Sequence, residues 1–356
     1  MDLIPGLNDD VARDCLVRVM YNQFSSVISV CKSWRDELEL PEFFRLRRDS
    51  CKSQKLIVMA QARVDQNSGS NSSLFKLRFN PVYRLTVLEP DTGDWCDLPP
   101  VPGFSDGLPM FCQVVGVGSE LVVLGGLDPD TWEVSDSVYV FNFVSATWRR
   151  GADMPGLRRS FFGCASDLDR MVYVAGGHDS EKNALGSVLA YDVENNEWVP
   201  LPDMAKERDE CKAIFQGGKL HVIGGYCTEM QGRFETSAEV FDVATFKWND
   251  VQEDLLLAAT CPRTCVSSDD VLYICHLGDV MALKGATWQA VAKLPVDVYN
   301  VAYVATWQGN LLVIGSESFG EPYVAYVLDL KSYSWRKIES PKEYSGHVQS
   351  SCYLEI

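Results

Sequence analysis

The chain has 356 residues, of which 46% are hydrophobic, and it carries a formal net charge of −17. This length and apolar content allow one large domain and a smaller one, whereas the acidic balance argues against nucleic acid or an anionic membrane as a partner, because both need a basic surface. No apolar run approaches the ~20 residues of a membrane-spanning helix, and the chain opens with acidic residues where a secretory signal has basic ones.

Residues 3–50 show the pattern of a small helical module. After an apolar, turn-forming entry, Asn8 or Asp9 can cap a first helix. Apolar spacing predicts a second helix over 27–38, and Pro41 is expected to begin a third. About fifty residues are too few to bury a core of their own. Part of this apolar surface should therefore be covered, either by a partner protein or by the rest of the chain.

Strand-forming sequence begins directly after this module. KLIVMAQA at 55–62 reads as one strand, and YRLTVLEPDTGDW at 83–95 reads as two more. A polar insertion rich in Ser and Asn at 64–80 separates them and is predicted to be a loop. Because the later units have four strands each, this unit lacks its first strand.

The rest of the chain is built from repeats. Tryptophans recur at intervals of 40–53 residues, each seven positions after an apolar residue. Upstream in most units, an apolar run ends in a glycine pair, as in LVVLGG (121–126), MVYVAGG (171–177) and LHVIGG (220–225). A further apolar strand precedes each run, which gives four short strands per unit. The repeating tryptophans are Trp95, Trp148, Trp198, Trp248, Trp288 and Trp335.

Such units bury both faces when they are stacked radially as the blades of a β-propeller. The glycine pair lets the backbone turn where strands crowd the central channel, and each Trp is expected to fill the space between adjacent blades. The lone strand at 347–356 can supply the missing strand of the unit that ends near Trp95. The sequence therefore predicts a mainly β fold: a six-bladed propeller closed by pairing of its ends, with a small N-terminal α-helical module.

Two family resemblances rest on these motifs. The double glycine after an apolar strand, followed by an aromatic residue and by Trp seven positions later, resembles the kelch repeat over 111–335, although the unit ending near Trp288 lacks the glycines. The series L-x-P-x-L (3–7), C-L-x-R-V (15–19) and V-C-K-x-W-R (30–35) resembles an F-box. Together they are similar to plant F-box/kelch-repeat proteins, with an F-box at 1–50 and a kelch propeller at 51–356.

This resemblance implies a substrate-recognition subunit of an SCF-type ubiquitin ligase, not an enzyme. The F-box would bind a Skp-type adaptor and, through it, a cullin, while the propeller would capture a protein for ubiquitination and proteasomal degradation. Members of the plant family direct phenylalanine ammonia-lyase, an enzyme of phenylpropanoid metabolism, or response regulators of cytokinin signalling to degradation. The residues expected to contact the adaptor are Leu3, Pro5, Leu7, Val11, Leu16, Val19, Val30 and Trp34.

The surface that would capture the target follows from strand direction. In an up-and-down blade, the loop after the second strand and the loop before the first strand open on the same face. Arginines in these loops could bind acidic side chains bidentately, and Arg159 and Arg208 occupy near-equivalent positions in successive repeats. The residues expected to bind the substrate are Arg158, Arg159, His178, Arg208, Tyr226 and Arg263.

Two other classes of function remain open. A kelch propeller could be a scaffold without a ligase role, or a propeller glycosidase or oxidase. The four histidines and the absence of repeated S-x-D-x-G-x-x-W turns disfavour an enzyme, so no catalytic residue, metal or cofactor is expected. Cys261 and Cys265 have metal-like spacing but lack the second half of a zinc site. The twelve cysteines are expected to be free thiols in a reducing compartment, the cytoplasm and/or the nucleus.

Overall fold

The computed structural model describes residues 3–64, 81–104 and 107–356, in which a few short helices precede six four-stranded antiparallel sheets. The predicted mainly β, six-bladed propeller with a small helical region is confirmed. The insertion predicted to form a loop at 64–80 lies outside the described residues, apart from its first residue.

The helical region contains one more helix than the sequence predicts. The Asn8 side chain caps the first helix by accepting a hydrogen bond from the backbone N–H of Val11. The single helix predicted over 27–38 is wrong, because Cys31 adopts an extended conformation (φ −160°, ψ 165°) and separates two helices. The helices are α1 (Asp9–Leu16), α2 (Phe24–Ile28), α3 (Lys32–Leu38) and α4 (Pro41–Asp49), with a 3₁₀ turn at Tyr21–Gln23 before α2.

The strands group into blades in chain order, except that the first blade takes its inner strand from the C-terminus. Blade 1 contains β1 (Lys55–Ala62), β2 (Tyr83–Glu89), β3 (Asp94–Asp97) and β24 (Val348–Glu355). Blade 2 contains β4 (Gln113–Val117), β5 (Glu120–Leu124), β6 (Val138–Asn142) and β7 (Thr147–Arg150). Blade 3 contains β8 (Gly163–Ser166), β9 (Met171–Ala175), β10 (Val188–Asp192) and β11 (Glu197–Leu201).

The second half of the ring repeats this arrangement. Blade 4 contains β12 (Lys212–Gln216), β13 (Lys219–Ile223), β14 (Ala238–Asp242) and β15 (Lys247–Trp248). Blade 5 contains β16 (Val266–Ser268), β17 (Val271–His276), β18 (Asp279–Lys284) and β19 (Thr287–Lys293). Blade 6 contains β20 (Asn300–Trp307), β21 (Asn310–Ser316), β22 (Val324–Asp329) and β23 (Trp335–Ile338).

Blade 1 joins the two ends of the propeller. Strand β24 pairs antiparallel with β1, so that Leu354 lies opposite Leu56. Beyond the strand, Gln54 and Ile356 exchange backbone hydrogen bonds of 2.7 and 2.9 Å. Pairing of first and last strands leaves no open edge at the junction of the ring, which removes a site where another chain could add.

The repeating tryptophans link each blade to the one before it. In every blade the indole Nε1–H donates to a backbone carbonyl of the preceding blade, at the end of its fourth strand or in the connection that follows, over distances of 2.7–3.2 Å. The indole thus combines apolar packing with a satisfied N–H group. The acceptors, in the order of the tryptophans, are the carbonyls of Glu339, Pro99, Ala152, Pro202, Leu255 and Lys293.

A glycine pair ends the second strand where the backbone has no room for a side chain. In blade 3, Gly176 and Gly177 have φ values of +64° and +84°, in the left-handed region that favours glycine. A Cβ on Gly176 would collide with the backbone carbonyl of Arg208, which belongs to the connection into blade 4. The pair therefore allows successive blades to approach closely at the channel.

The helical region packs onto blades 1 and 2 in one continuous apolar core with them. Arg47 of α4 is 1% exposed and binds three backbone carbonyls. Its Nη1 donates to the carbonyls of Val17 and Val19, each at 2.6 Å, and its Nη2 donates to that of Ile356 at 3.3 Å. The guanidinium also lies over the ring of Phe24, 5.1 Å from its centroid. One buried side chain thus ties the helices to the C-terminal residue.

The inner strands of the blades surround a central channel of about 940 Å³. Side-chain hydrogen bonds connect neighbouring inner strands: Thr306 Oγ1 donates to the carbonyl of Ser267 at 2.6 Å, and Tyr303 Oη donates to that of Ser351 at 2.7 Å. These contacts tie the inner strand of blade 6 to the inner strands of blades 5 and 1.

Candidate functional site

The helices and the predicted substrate loops lie on opposite faces of the propeller. Tyr21 contacts blade 1 through Cys96, 3.4 Å from its hydroxyl, and blade 2 through Phe143, with ring centroids 5.9 Å apart. Phe143 lies in the loop between β6 and β7, and Ile356 follows the end of β24. We call this side the proximal face. The distal face carries the loops between second and third strands and the connections between blades.

Two arginines expected to bind a substrate are buried inside the blades. Arg159 is 3% exposed and Arg208 is 1% exposed. Arg159 donates to the carbonyls of Gly176 and Ser187, and Arg208 donates to the equivalent carbonyls of Gly224 and Ser237. Burial lowers the pKa of Arg159 to about 10. Because these guanidinium groups are occupied within the chain, the structure corrects the expectation that they contact a partner.

Arg208 also has a buried counterion. Its Nη2 lies 3.1 Å from Oε1 of Glu239, whose side chain is wholly buried. The carboxylate of Glu239 additionally accepts the backbone N–H groups of Ala205 and Lys206. Buried ion pairs of this kind depend on such extra hydrogen bonds to offset desolvation. The pair therefore holds the connection between blades 3 and 4.

His178 and Tyr226 are also inside the fold. His178 Nε2 lies 2.8 Å from Oγ of Ser160, and His178 Nδ1 lies 2.7 Å from Oδ2 of Asp209. This order of groups is that of a serine-hydrolase triad, but Ser160 is buried and cannot be reached by a substrate. Tyr226 is buried and donates its hydroxyl proton to Glu210 at 3.1 Å. Their predicted contact with a partner is corrected in the same way.

Arg158 and Arg263 are exposed, so their contact with a substrate stays a prediction. Arg158 is paired with Asp136 at 3.1 Å. Arg263 lines the mouth of the channel, where it donates to the carbonyl of Val301 at 3.3 Å. His347 lines the same mouth, and its pKa is lowered by burial and, to a smaller extent, by the charge of Arg263. Of the six predicted substrate residues, these two arginines remain accessible.

The distal mouth also contains residues that sequence reasoning missed. Phe111, Phe161 and Glu210 stand two residues before the inner strands of blades 2, 3 and 4, with φ values of +59°, +55° and +50°. The two phenylalanine rings lie 4.6 Å apart, and Glu210 N–H donates to the carbonyl of Phe161 at 3.2 Å. Left-handed non-glycine residues cost about 1–3 kcal/mol each and cluster at functional sites. We call Phe111, Phe161 and Glu210, which stand at the same position of three successive blades, the distal ledge.

A second missed feature is an apolar patch on the distal rim of blades 5 and 6, formed by Leu277, Val296, Tyr299 and Phe319. These four side chains are 83–101% exposed. The segments that carry them adjoin, because Leu294 N–H donates to the carbonyl of Gly278 and Tyr299 N–H donates to that of Ser316, so the four side chains project from one stretch of the rim without packing against each other. Single exposed apolar residues are ordinary, whereas a contiguous group marks an interaction surface. We call this group the blade 5–6 rim.

The residues predicted to contact an adaptor separate into two groups. Leu3 and Leu16 are buried in the core shared with the propeller, which corrects the expectation that they contact a partner directly. Trp34 is half-buried and donates its Nε1–H to the carbonyl of Leu3 at 2.7 Å, and Val19 is half-buried. The exposed members are Pro5, Leu7, Val11 and Val30.

The described residues were compared with the requirements of a metal site and of a membrane-spanning helix. Within 3–64, 81–104 and 107–356, no group of three His, Cys, Asp or Glu side chains could hold a metal ion together. Over the same ranges, none of the helices has the length and apolar character needed to span a bilayer.

The fold and these two surfaces define a class: a kelch-type propeller with a helical module docked on its proximal face. A family model described as the KLHDC2/KLHL20/DRC7 Kelch-repeats domain matches residues 111–289. Two Arabidopsis thaliana proteins, F-box/kelch-repeat protein At1g80440 and F-box/kelch-repeat protein At1g15670, are each 52% identical to this chain, and the alignments cover both partners completely. The chain therefore belongs to the F-box/kelch-repeat protein family.

More distant matches agree with this assignment. F-box/kelch-repeat protein SKIP20 of Arabidopsis thaliana is 33% identical over 97% of this chain and 94% of its own length. Among solved structures, YjhT superposes with a TM-score of 0.58 over 72% of this chain and 91% of its own. At 14% identity, the likeness to YjhT shows the fold alone.

Proposed function

We propose that this chain is the substrate-receptor subunit of an SCF-type ubiquitin ligase. Residues 1–50 would act as the F-box that binds a Skp-type adaptor and, through it, a cullin. Residues 51–356 would act as the kelch propeller that captures a target protein for ubiquitination and proteasomal degradation. The observation that carries the proposal is the opposition of two exposed surfaces: apolar side chains of the helical module on the proximal side, and the ledge and rim on the distal face.

The adaptor surface is argued from what the helical module leaves uncovered. Its core is completed by blades 1 and 2, yet Val11 of α1 remains 46% exposed and Val30, between α2 and α3, remains 61% exposed. Leu7, before α1, is a third exposed apolar residue. Apolar side chains that the propeller does not cover are available to a partner protein.

Such a subunit acts by positioning. A target held on the distal face and a conjugating enzyme recruited through the adaptor would be brought to a high effective concentration relative to each other. The Ser160 hydroxyl, which has a triad-like environment, is sealed from solvent and takes no part. The receptor therefore needs no nucleophile of its own, and it would work in the cytoplasm and/or the nucleus.

The plant family supplies two candidate targets. Phenylalanine ammonia-lyase would connect the receptor to phenylpropanoid metabolism, and a cytokinin response regulator would connect it to cytokinin signalling. Both can be assayed with purified components, by measuring ubiquitin transfer to each target in the presence of the receptor, adaptor and cullin complex. Transfer that depends on the receptor would identify the target.

The adaptor interaction is tested with charged replacements on the exposed surface. We expect Val11→Asp together with Val30→Asp to weaken binding of a purified Skp-type adaptor at least about tenfold, since burying two unpaired carboxylates in an apolar interface is unfavourable. Leu168→Asp is the matched control, because Leu168 is an equally exposed apolar residue in blade 3. Unchanged adaptor affinity of the double variant, with unchanged circular dichroism, would refute the assignment and leave a scaffold without a ligase role.

A further inference from the structure

The blade 5–6 rim has a chemical character that restricts what can cover it. Its four apolar side chains come from three segments: the turn between β17 and β18, the connection between blades 5 and 6, and the loop between β21 and β22. Phe319, 98% exposed, stands at the tip of the last loop with Glu317 and Glu321 on either side, both exposed. The apolar patch is thus bordered by carboxylates.

These carboxylates are not neutralised by their surroundings. Neither Glu317 nor Glu321 forms an ion pair with any residue that the structure describes. The nearby lysines are already engaged, since Lys293 pairs with Asp279 and Lys337 pairs with Asp297, each at 2.9 Å. The rim therefore presents apolar groups within a negative field.

The distal loops on the other side of the channel mouth are also negatively charged. Glu207 and Glu229 are exposed carboxylates of the distal loops of blades 3 and 4, and the described residues offer them no ion pair. Lys206 in this region is held by two other carboxylates, at 3.0 and 2.8 Å. Arg208 is buried against Glu239. Lys182, Arg233 and Arg263 are exposed cations of the distal loops and connections, but these segments hold more carboxylates than cations between 125 and 347, so the distal surface stays acidic.

The shape of the rim favours an extended occupant. Blade 5 has a turn of only two residues between β17 and β18, 277–278, whereas the corresponding segments of its neighbours, 224–237 and 317–323, are longer. The wall of the distal face is therefore lowest at blade 5. A peptide segment can cross the rim there and lay its apolar side chains on Leu277 and Tyr299.

We infer that the blade 5–6 rim binds a protein segment in which apolar side chains are flanked by Lys or Arg, and that this segment is the recognition element of the captured target. The identification as a target element rests on the proposed receptor function. Charge decides between possible occupants. A second copy of this chain, with a net charge of −17, and an anionic membrane would both be repelled by the carboxylates beside Phe319, whereas a basic segment is attracted to them.

A random peptide display library selected on the purified full chain tests this inference. We expect the selected peptides to carry net positive charge with at least one large apolar residue. Binding of a selected peptide should fall at least about tenfold in the variant Tyr299→Ser with Phe319→Ser, which corresponds to about 1.4 kcal/mol. Binding should fall less, and become less sensitive to salt, in the variant Glu317→Gln with Glu321→Gln, because removing surface carboxylates removes a screened attraction.

Matched controls separate the rim from general attraction to an acidic protein. Asp169→Asn with Glu197→Gln removes the same charge from exposed positions in blade 3 and should leave peptide binding unchanged. Selection of neutral or acidic peptides, equal losses in the control pair, or no peptide that depends on the rim would overturn the inference. So would binding of anionic vesicles, or self-association, that is lost in the rim variant.

The two proposals fail in different assays. Adaptor binding is lost in the Val11 and Val30 variant and is independent of the rim, whereas peptide binding depends on the rim and is independent of those valines. Normal adaptor binding without a basic peptide preference would remove the inference and leave the receptor function. The opposite result would leave a peptide-binding propeller without an adaptor.

Discussion

Replacing Arg47 with Met tests whether one buried side chain holds the helical module to the closing strand. Its three carbonyl acceptors belong to Val17, Val19 and Ile356, so the residue joins the segment after α1 to the last residue of the chain. Methionine keeps an unbranched side chain of similar reach but has no donor. In the variant, the carbonyls of Val17 and Val19, which accept from Arg47 at 2.6 Å, lose this donor.

The size of the effect follows from these contacts. A buried carbonyl deprived of its donor costs about 1–3 kcal/mol, so the two closest acceptors together contribute about 2–6 kcal/mol. Part of this is offset, because the variant no longer desolvates a charge, and burial lowers the pKa of Arg47 to about 10. We therefore expect Arg47→Met to lower the free energy of unfolding by about 2–4 kcal/mol.

Urea denaturation of the purified chain measures the loss, and hydrogen exchange locates it. Amide protection should fall together in the helices Asp9–Asp49 and in β24, because Arg47 contacts both regions. Arg48→Met is the matched control, since Arg48 is exposed beside it, and it should change stability by less than about 0.5 kcal/mol. A comparable loss in both variants, or unchanged protection of β24 in Arg47→Met, would refute the reasoning.

Two further predictions concern the channel. Gly176→Ala should destabilise the protein by about 1–3 kcal/mol more than Gly217→Ala in urea denaturation, because both positions are left-handed but only the methyl group at Gly176 meets a backbone carbonyl; equal losses would contradict this. His347 has a pKa below 6.5, chiefly through burial and then through Arg263, so the unfolded chain binds more protons in the interval below 6.5 and stability should fall as the pH drops through it. As the pH is lowered from about 7 to 5, the melting temperature of His347→Gln should fall less than that of the parent protein. An unchanged dependence of melting temperature on pH would count against this assignment.

The fold was accessible from the sequence because its determinants repeat. The six tryptophans mark the fourth strand of each blade, and their N–H groups reach the preceding blade in all six cases. Even blade 5, which lacks the glycine pair, keeps Trp288 and its hydrogen bond to the carbonyl of Leu255. A residue that every blade needs in order to stack on its neighbour recurs at a regular interval, and this interval can be seen in the sequence.

The same periodicity misled the prediction of the substrate site. Arg159 and Arg208 occupy equivalent positions, and each binds the carbonyl of the first glycine of its pair. Equivalence of position had already indicated a packing role for the tryptophans, and it indicates a packing role for these arginines as well. Spacing alone does not tell whether a long side chain turns inward, because that depends on the carbonyls that the adjacent strands leave unpaired.

The blade 5–6 rim left a weaker signal in the sequence. Leu277 stands in a tight turn where a polar residue is usual, and Phe319 stands between two glutamates. An apolar side chain in a tight turn is expected to be exposed. The sequence alone does not tell whether a neighbouring blade covers it. The contact between Tyr299 and the strand end at Ser316 that makes these residues one patch depends on tertiary structure.

Closure through β24 also sets the order in which the molecule can be completed. Leu56 meets its partner Leu354 across about 300 residues of chain, and at roughly 5–20 residues per second the ribosome needs about 15–60 s to supply the missing strand. During that time β1 has one unpaired edge, and Arg47 has no Ile356 carbonyl to bind. A chain that stops early never acquires either contact, so the helical module reaches its final packing only on a fully synthesised ring.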